Sequence, residues 1–252
     1  MFRISLSCTA LLLVMSSVDA KETRIDVHVI SKGAKFIGTS MGGAGVTIED
    51  AETGELLAQG RTKGGTGDTA KIMKEPLPHH APVSTDDAAV FQATLDLDQP
   101  RRIKVTARGP LAQPQSLNTA SSTQWVVPGK SITGGDAWTL EIPGFAVDIL
   151  HPPAAKKLDG STDQIEVKAN VVMMCGCPIE PDGLWDANRF EVAAIVRRNG
   201  EPVSEVPLPF AGSTNQFAAR VKLPEPGAYE IMVYAYDPSS GNTGVDKTTV
   251  IR

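Results

Sequence analysis

The sequence predicts an all-β protein: two β-sandwiches in tandem behind a signal peptide. Three observations carry this expectation. Short apolar/polar alternations of period two recur from residue 24 to the chain end, Gly-, Pro-, Asn- and Asp-rich turn signals separate them, and no stretch sustains a 3.6-residue period. Many short strands with turns between them bury their apolar faces by stacking two sheets.

The chain of 252 residues opens Met1-Phe2-Arg3, one positive charge, followed by an apolar run from Ile4 through Met15 that is too short to anchor in a bilayer. Val18-Asp19-Ala20 offers small residues at the positions a signal peptidase reads, so residues 1–20 read as a secretory signal and the mature chain starts at Lys21. A periplasmic or secreted protein is expected, with no membrane insertion after cleavage. The net charge of −5 is spread without any basic run. That pattern speaks against nucleic acid and leaves another exported protein as the expected partner.

The first sandwich is expected over residues 21–150. Arg24–Ile30 alternates as a strand with one buried face, His28 falling on its polar phase. Val46–Asp50, the turn Ala51-Glu52-Thr53-Gly54 and Glu55–Gly60 then read as a hairpin. This run, Val-Thr-Ile-Glu-Asp-Ala-Glu-Thr-Gly-Glu-Leu-Leu-Ala-Gln-Gly, resembles the strand pair of transthyretin-like or carboxypeptidase-regulatory-like β-sandwich modules. The resemblance implies an accessory or structural role and no catalytic residue.

Residues 61–89 read as a long loop. Within it Gly64-Gly65-Thr66-Gly67-Asp68 lacks the Lys-Ser/Thr ending and following helix of a phosphate-cradling loop, so a plain turn is expected. Adjacent His79 and His80 are metal-capable but sit between prolines with no ligand motif nearby, as a solvated pair would. Strands resume at Val90–Leu97 and Arg102–Ala107, and a second loop, Gly109–Gly135, is anchored by Trp125-Val126-Val127. Trp138–Ile142, a Pro143-Gly144 turn and Phe145–Leu150 close the domain.

The Pro- and Lys-bearing segment 151–163 is the expected linker, and 164–252 the second sandwich. Asn199-Gly200 marks a hairpin. Pro226–Asp237, the turn Ser240–Gly244 and Thr248–Arg252 resemble the last two strands of a bacterial immunoglobulin-like sandwich. That resemblance implies the fold over about residues 160–252, and Gly227-Ala228-Tyr229 matches its tyrosine corner, making Tyr229 structural.

Met173-Met174-Cys175-Gly176-Cys177 departs from that family's pattern and concentrates the soft ligands of the chain. In an extended strand Met173, Cys175 and Cys177 line one face. Three readings compete. Thiolates and thioethers select Cu(I), with Cys175 and Cys177 as primary ligands and Met173 or Met174 assisting. A Cys-x-Cys disulfide suits export but requires a kink, and as a labile bond would suit thiol exchange. Buried Cys and Met also pack simply as hydrophobes.

The leading expectation is an exported, non-catalytic copper-handling or accessory protein. The alternative is a structural or protein-interaction module with the cysteines bonded. No nucleophile elbow, zincin helix, haem-attachment site or P-loop is present in the sequence, and His28, His79, His80 and His151 are scattered. On the even phase Val172 and Met174, and on a later strand Met232, Tyr234 and Tyr236, point away from their own core. Such faces pack either domain on domain or on a partner protein.

Overall fold

The structure is a computed structural model and describes residues 19–76, 78, 81–159 and 161–252. The signal-peptide expectation, all but its last two residues, and His79 and His80 lie outside the described residues. Among the described residues fifteen strands follow in order: β1 (Lys21–Ser31), β2 (Gly45–Asp50), β3 (Leu56–Arg61), β4 (Val90–Leu97), β5 (Arg101–Gly109), β6 (Asn118–Val126), β7 (Trp138–Ile142), β8 (Phe145–His151), β9 (Lys156–Lys157), β10 (Gln164–Met173), β11 (Glu191–Arg198), β12 (Glu201–Pro207), β13 (Gln216–Lys222), β14 (Ala228–Tyr236) and β15 (Thr243–Ile251). A five-residue helix α1 (Thr69–Met73) lies within the first long loop, capped by the Asp68 carboxylate.

The chain is all-β, as expected, and forms two sandwiches. In the first, the sheet β4-β1-β7 packs on β3-β2-β5-β6; in the second, β13-β10-β8 packs on β12-β11-β14-β15-β9. The inward residues of each alternate along the strands, Val46 and Ile48 on β2 with Ile103, Val105 and Ala107 on β5, or Ile231, Val233 and Ala235 on β14. The β2–β3 hairpin turns where expected, with Gly54 at φ +74° and Asp50 Oδ1 accepting the Glu52 and Thr53 amides. Asn199 and Gly200, both at positive φ, join β11 to β12 as the dipeptide predicts.

Tyr229 is buried and its hydroxyl donates 2.7 Å to the Glu225 carbonyl four residues upstream. This is the tyrosine corner the resemblance implied.

Several expectations change. The sequence places the strand at Phe145–Leu150 in the first sandwich, with the boundary at 151, but β8 pairs with β10 from Lys168↔His151 to Met173↔Phe145. The crossover is the Pro143-Gly144 turn, because Phe145 and Val147 find their burial in the second core. The expected linker supplies β9, which pairs parallel to the end of β15. The second loop contains the nine-residue β6, an edge strand exposed at most positions and therefore without the apolar alternation that marks a strand. Its anchor is Val126, buried, whereas Trp125 is 61% exposed.

A further change concerns β1, which is buried on both faces. Its outer face is covered by the loop before β4, where His28 Nδ1 meets the Ala89 carbonyl at 2.8 Å and its ring packs on Phe36. Gly64–Asp68 is not the plain turn expected: Gly65 donates to the Asp87 carbonyl and bridges to Ala88, and Asp68 caps the short helix α1, where the sequence predicts none to follow.

The two sandwiches share an apolar and hydrogen-bonded junction. Ala146, Val172 and Met174, from strands and a turn of the second, belong to the core cluster of the first, and Ala34 crosses the other way. Asn242, 1% exposed, donates to the Lys32 carbonyl and accepts from the Gly144 amide, both at 3.1 Å. Trp185 Nε1 donates 3.0 Å to the Gly33 carbonyl. The even-phase apolar residues of β10 thus pack domain on domain.

Candidate functional site

The sulfur-rich turn sits at this junction. Central strand β10 alternates Ile165, Val167, Ala169, Val171 and Met173 into the second core, and ends at Met173. There the chain turns: the Gly176 amide donates 2.7 Å to the Met173 carbonyl, and the Met173 amide donates 3.3 Å to the Cys177 carbonyl. Gly176, at φ +76°, supplies the kink that a Cys-x-Cys bond requires. The kink brings the Cys175 and Cys177 Cα atoms to 5.4 Å, inside the usual disulfide span, and the two sulfurs are bonded.

Cys175 and Cys177 are 1% and 4% exposed and belong to the second core together with Met173. Met174 is completely buried in the first core. The sequence-derived ligand set is thereby divided between two cores. A further sulfur joins the locality: a Cβ on Gly176 would lie 2.8 Å from Met41 Sδ, so the turn rests directly on the Met41 thioether of the first sandwich. Met41 had no signal in the sequence, since only the tertiary packing brings it to the turn. Among the described residues no three His, Cys, Asp or Glu side chains gather as a metal-binding group, and no helix is long and apolar enough to cross a membrane.

Away from this turn, two carboxylates, Asp136 and Asp148, are partly buried. Asp136 reaches across to the loop before β4 and accepts the Val83 and Ser84 amides at 3.0 and 2.8 Å. Its burial works to raise its pKa, but those hydrogen bonds outweigh burial and hold it below the ordinary carboxylate value.

Asp148 on β8 behaves oppositely: burial first, and then the neighbouring carboxylate of Asp246, push it up. A carboxyl whose folded pKa is raised binds its proton more tightly folded than unfolded, so its contribution to stability falls as pH rises through the carboxylate range. Asp148→Asn is therefore expected to raise the melting temperature at pH 7, and the gain should vanish below about pH 4. Thermal melts of both proteins across pH 3–8 check this, and an equal gain at every pH would refute it.

On β14, Met232, Tyr234 and Tyr236 are half-buried on the outer face of the second sandwich. Tyr234 donates to Glu191 and Glu205, and these two carboxylates raise its pKa. A groove of about 1230 Å³ lies on the first sandwich and includes Gly45, Thr47, Arg61, Arg108 and Leu111 in its walls. No sequence motif marked it, because its residues come from separate strands.

No family model matches the chain, and no curated protein matches it. Among solved structures it is similar to the fibronectin(III)-like modules of Clostridium thermocellum CbhA, at 12% identity over 94% of this chain and 91% of that chain, TM-score 0.28. It is also similar to the titin domains Z1Z2 in complex with telethonin, at 11% identity over 94% and 98%, TM-score 0.24. An ICAM-5 D1–D4 ectodomain fragment is similar at 12% identity over 82% and 45%, TM-score 0.24.

Proposed function

We propose that the protein is an exported, non-catalytic accessory module in which two sandwiches act as one unit and the Cys175–Cys177 bond fixes a turn of the second that packs against the first. The observation that carries this reading is the bonded, buried cysteine pair seated on Met41 at the junction. A disulfide agrees with an oxidising compartment. Its burial favours a staple over thiol exchange, which needs an accessible sulfur. Copper handling through Cys175, Cys177, Met173 and Met174 would require the reduced pair, and would leave Met174 on the far side of the junction. A partner protein would meet the outer face of β14, where Tyr234 and Tyr236 stand half-buried.

Intact mass and thiol titration on protein recovered from its exported compartment test the reading. A mass two daltons below the reduced chain, no free thiol, and an N-terminus at Lys21 are expected. One Cu(I) per chain, lost in Cys175→Ser with the fold intact, would overturn it. The Cys175→Ala/Cys177→Ala double variant is expected to fold with a loss of about 1–2 kcal/mol, because the bond closes a very short loop and the entropy term grows only with the logarithm of loop length. Denaturant titration measures that loss.

A further inference from the structure

The outer face of β3-β2-β5-β6 is set out by its register. Arg61 and Arg108 both stand opposite Gly45, one on each neighbouring strand, and the next rung places Gln59, Thr47 and Thr106 side by side. Strands are about 4.8 Å apart, so the two arginines flank a glycine floor at about 10 Å Cα to Cα. A Cβ on Gly45 would find nothing nearer than 3.8 Å, so the slot between the arginines is open.

Neither Arg61 nor Arg108, nor Lys63 at the groove's edge, has an ion-pair partner or a side-chain hydrogen bond among the described residues. The face continues through Lys104 and Arg102 on β5, ending at exposed Trp125, which stands opposite Arg102 on β6. Its one acid among these strands, Glu49, pairs with Lys104 at 3.9 Å. On a chain of net charge −5, this face is locally cationic.

From this arrangement we propose that the outer face of the first sandwich binds an acidic polysaccharide, with one of its carboxylate or sulfate groups seated between Arg61 and Arg108 over Gly45. Guanidinium groups take either anion through paired hydrogen bonds. The rung of Gln59, Thr47 and Thr106 offers donors and acceptors suited to sugar hydroxyls. Trp125 offers an exposed aromatic face at the far end of the same path. An acidic peptide fits less well, because β2 and β5 are interior strands whose backbone groups are committed to ladders on both sides, so the face has no main chain to lend an extended peptide.

Calorimetric titration of the full chain tests this with a galacturonate hexamer for carboxylates, a heparin hexasaccharide for sulfates, and maltohexaose and hexaglutamate as controls. Binding of either acidic sugar, weakened by added salt, supports the proposal and identifies the anion. Arg61→Gln and Arg108→Gln should each weaken it about tenfold, and Gly45→Glu should abolish it by placing a carboxylate in the slot.

Gly45→Ala, whose methyl would make only ordinary van der Waals contact with the Arg108 carbonyl and Leu111 at 3.8 Å, should fold as the parent does and keep most of the affinity. An unchanged melting temperature in the arginine variants separates lost binding from lost fold. Failure of both acidic sugars to bind, equal binding of hexaglutamate or maltohexaose, or full affinity in Arg61→Gln/Arg108→Gln would each overturn the proposal.

Discussion

Met174→Ala is expected to destabilise the protein by about 2–5 kcal/mol, the range for truncating a fully buried Met where the surroundings relax only partly. For a chain of this size that is a fall in melting temperature on the order of 5–15 °C. The side chain is completely buried, and it belongs to the turn after β10 while lying in the core of the other sandwich. Its loss should therefore act on the coupling between the sandwiches as well as on total stability. Calorimetry is expected to show one transition for the parent and two for the variant. Met173→Ala, which removes the neighbouring side chain from the second core, is expected to cost a similar amount and keep one transition. If both variants melt alike, the junction is not the coupling element.

The two methionines illustrate what the sequence could and could not reveal. Period-two alternation located β10 and showed that Val172 and Met174 point away from its own core. It could not say what covers them, because burial against another domain and burial against a partner leave the same pattern. The same ambiguity misplaced β8: Pro143-Gly144 reads as a hairpin turn within one domain, and only the pairing of Phe145–His151 with β10 reveals a crossover between sandwiches. Edge strand β6 was missed because its exposed Ser, Thr and Gln residues lack a buried face.

Features governed by local backbone chemistry were legible. The Asn199-Gly200 hairpin, the turn at Gly54 and the tyrosine corner at Tyr229 each follow from a few neighbouring residues. The kink at Gly176 also lies within the motif, which is why a bonded Cys175–Cys177 pair could be weighed from sequence. Met41 beneath that turn, and the pairing of Arg61 with Arg108 across Gly45, arise from contacts between distant segments and left no sequence signal.

Trp185 provides an independent test of the junction, since its ring lies in the second core at 8% exposure while its indole N–H donates to Gly33 of the first sandwich. Trp185→Ala removes both functions, and a loss of about 3–5 kcal/mol is expected for so large a buried ring. Trp185→Phe keeps most of the packing and removes the donor. Gly33 is itself exposed, so its carbonyl can turn to water, and the Phe variant should lose only about 1 kcal/mol. Urea denaturation of the three proteins measures both steps. A Phe variant as damaged as the Ala variant would assign the weight of the contact to the hydrogen bond, whereas the predicted split assigns it to burial. In that case the hydrogen bond sets the orientation of the sandwiches and the apolar packing of Trp185, Met174 and Val172 supplies the energy that holds them there.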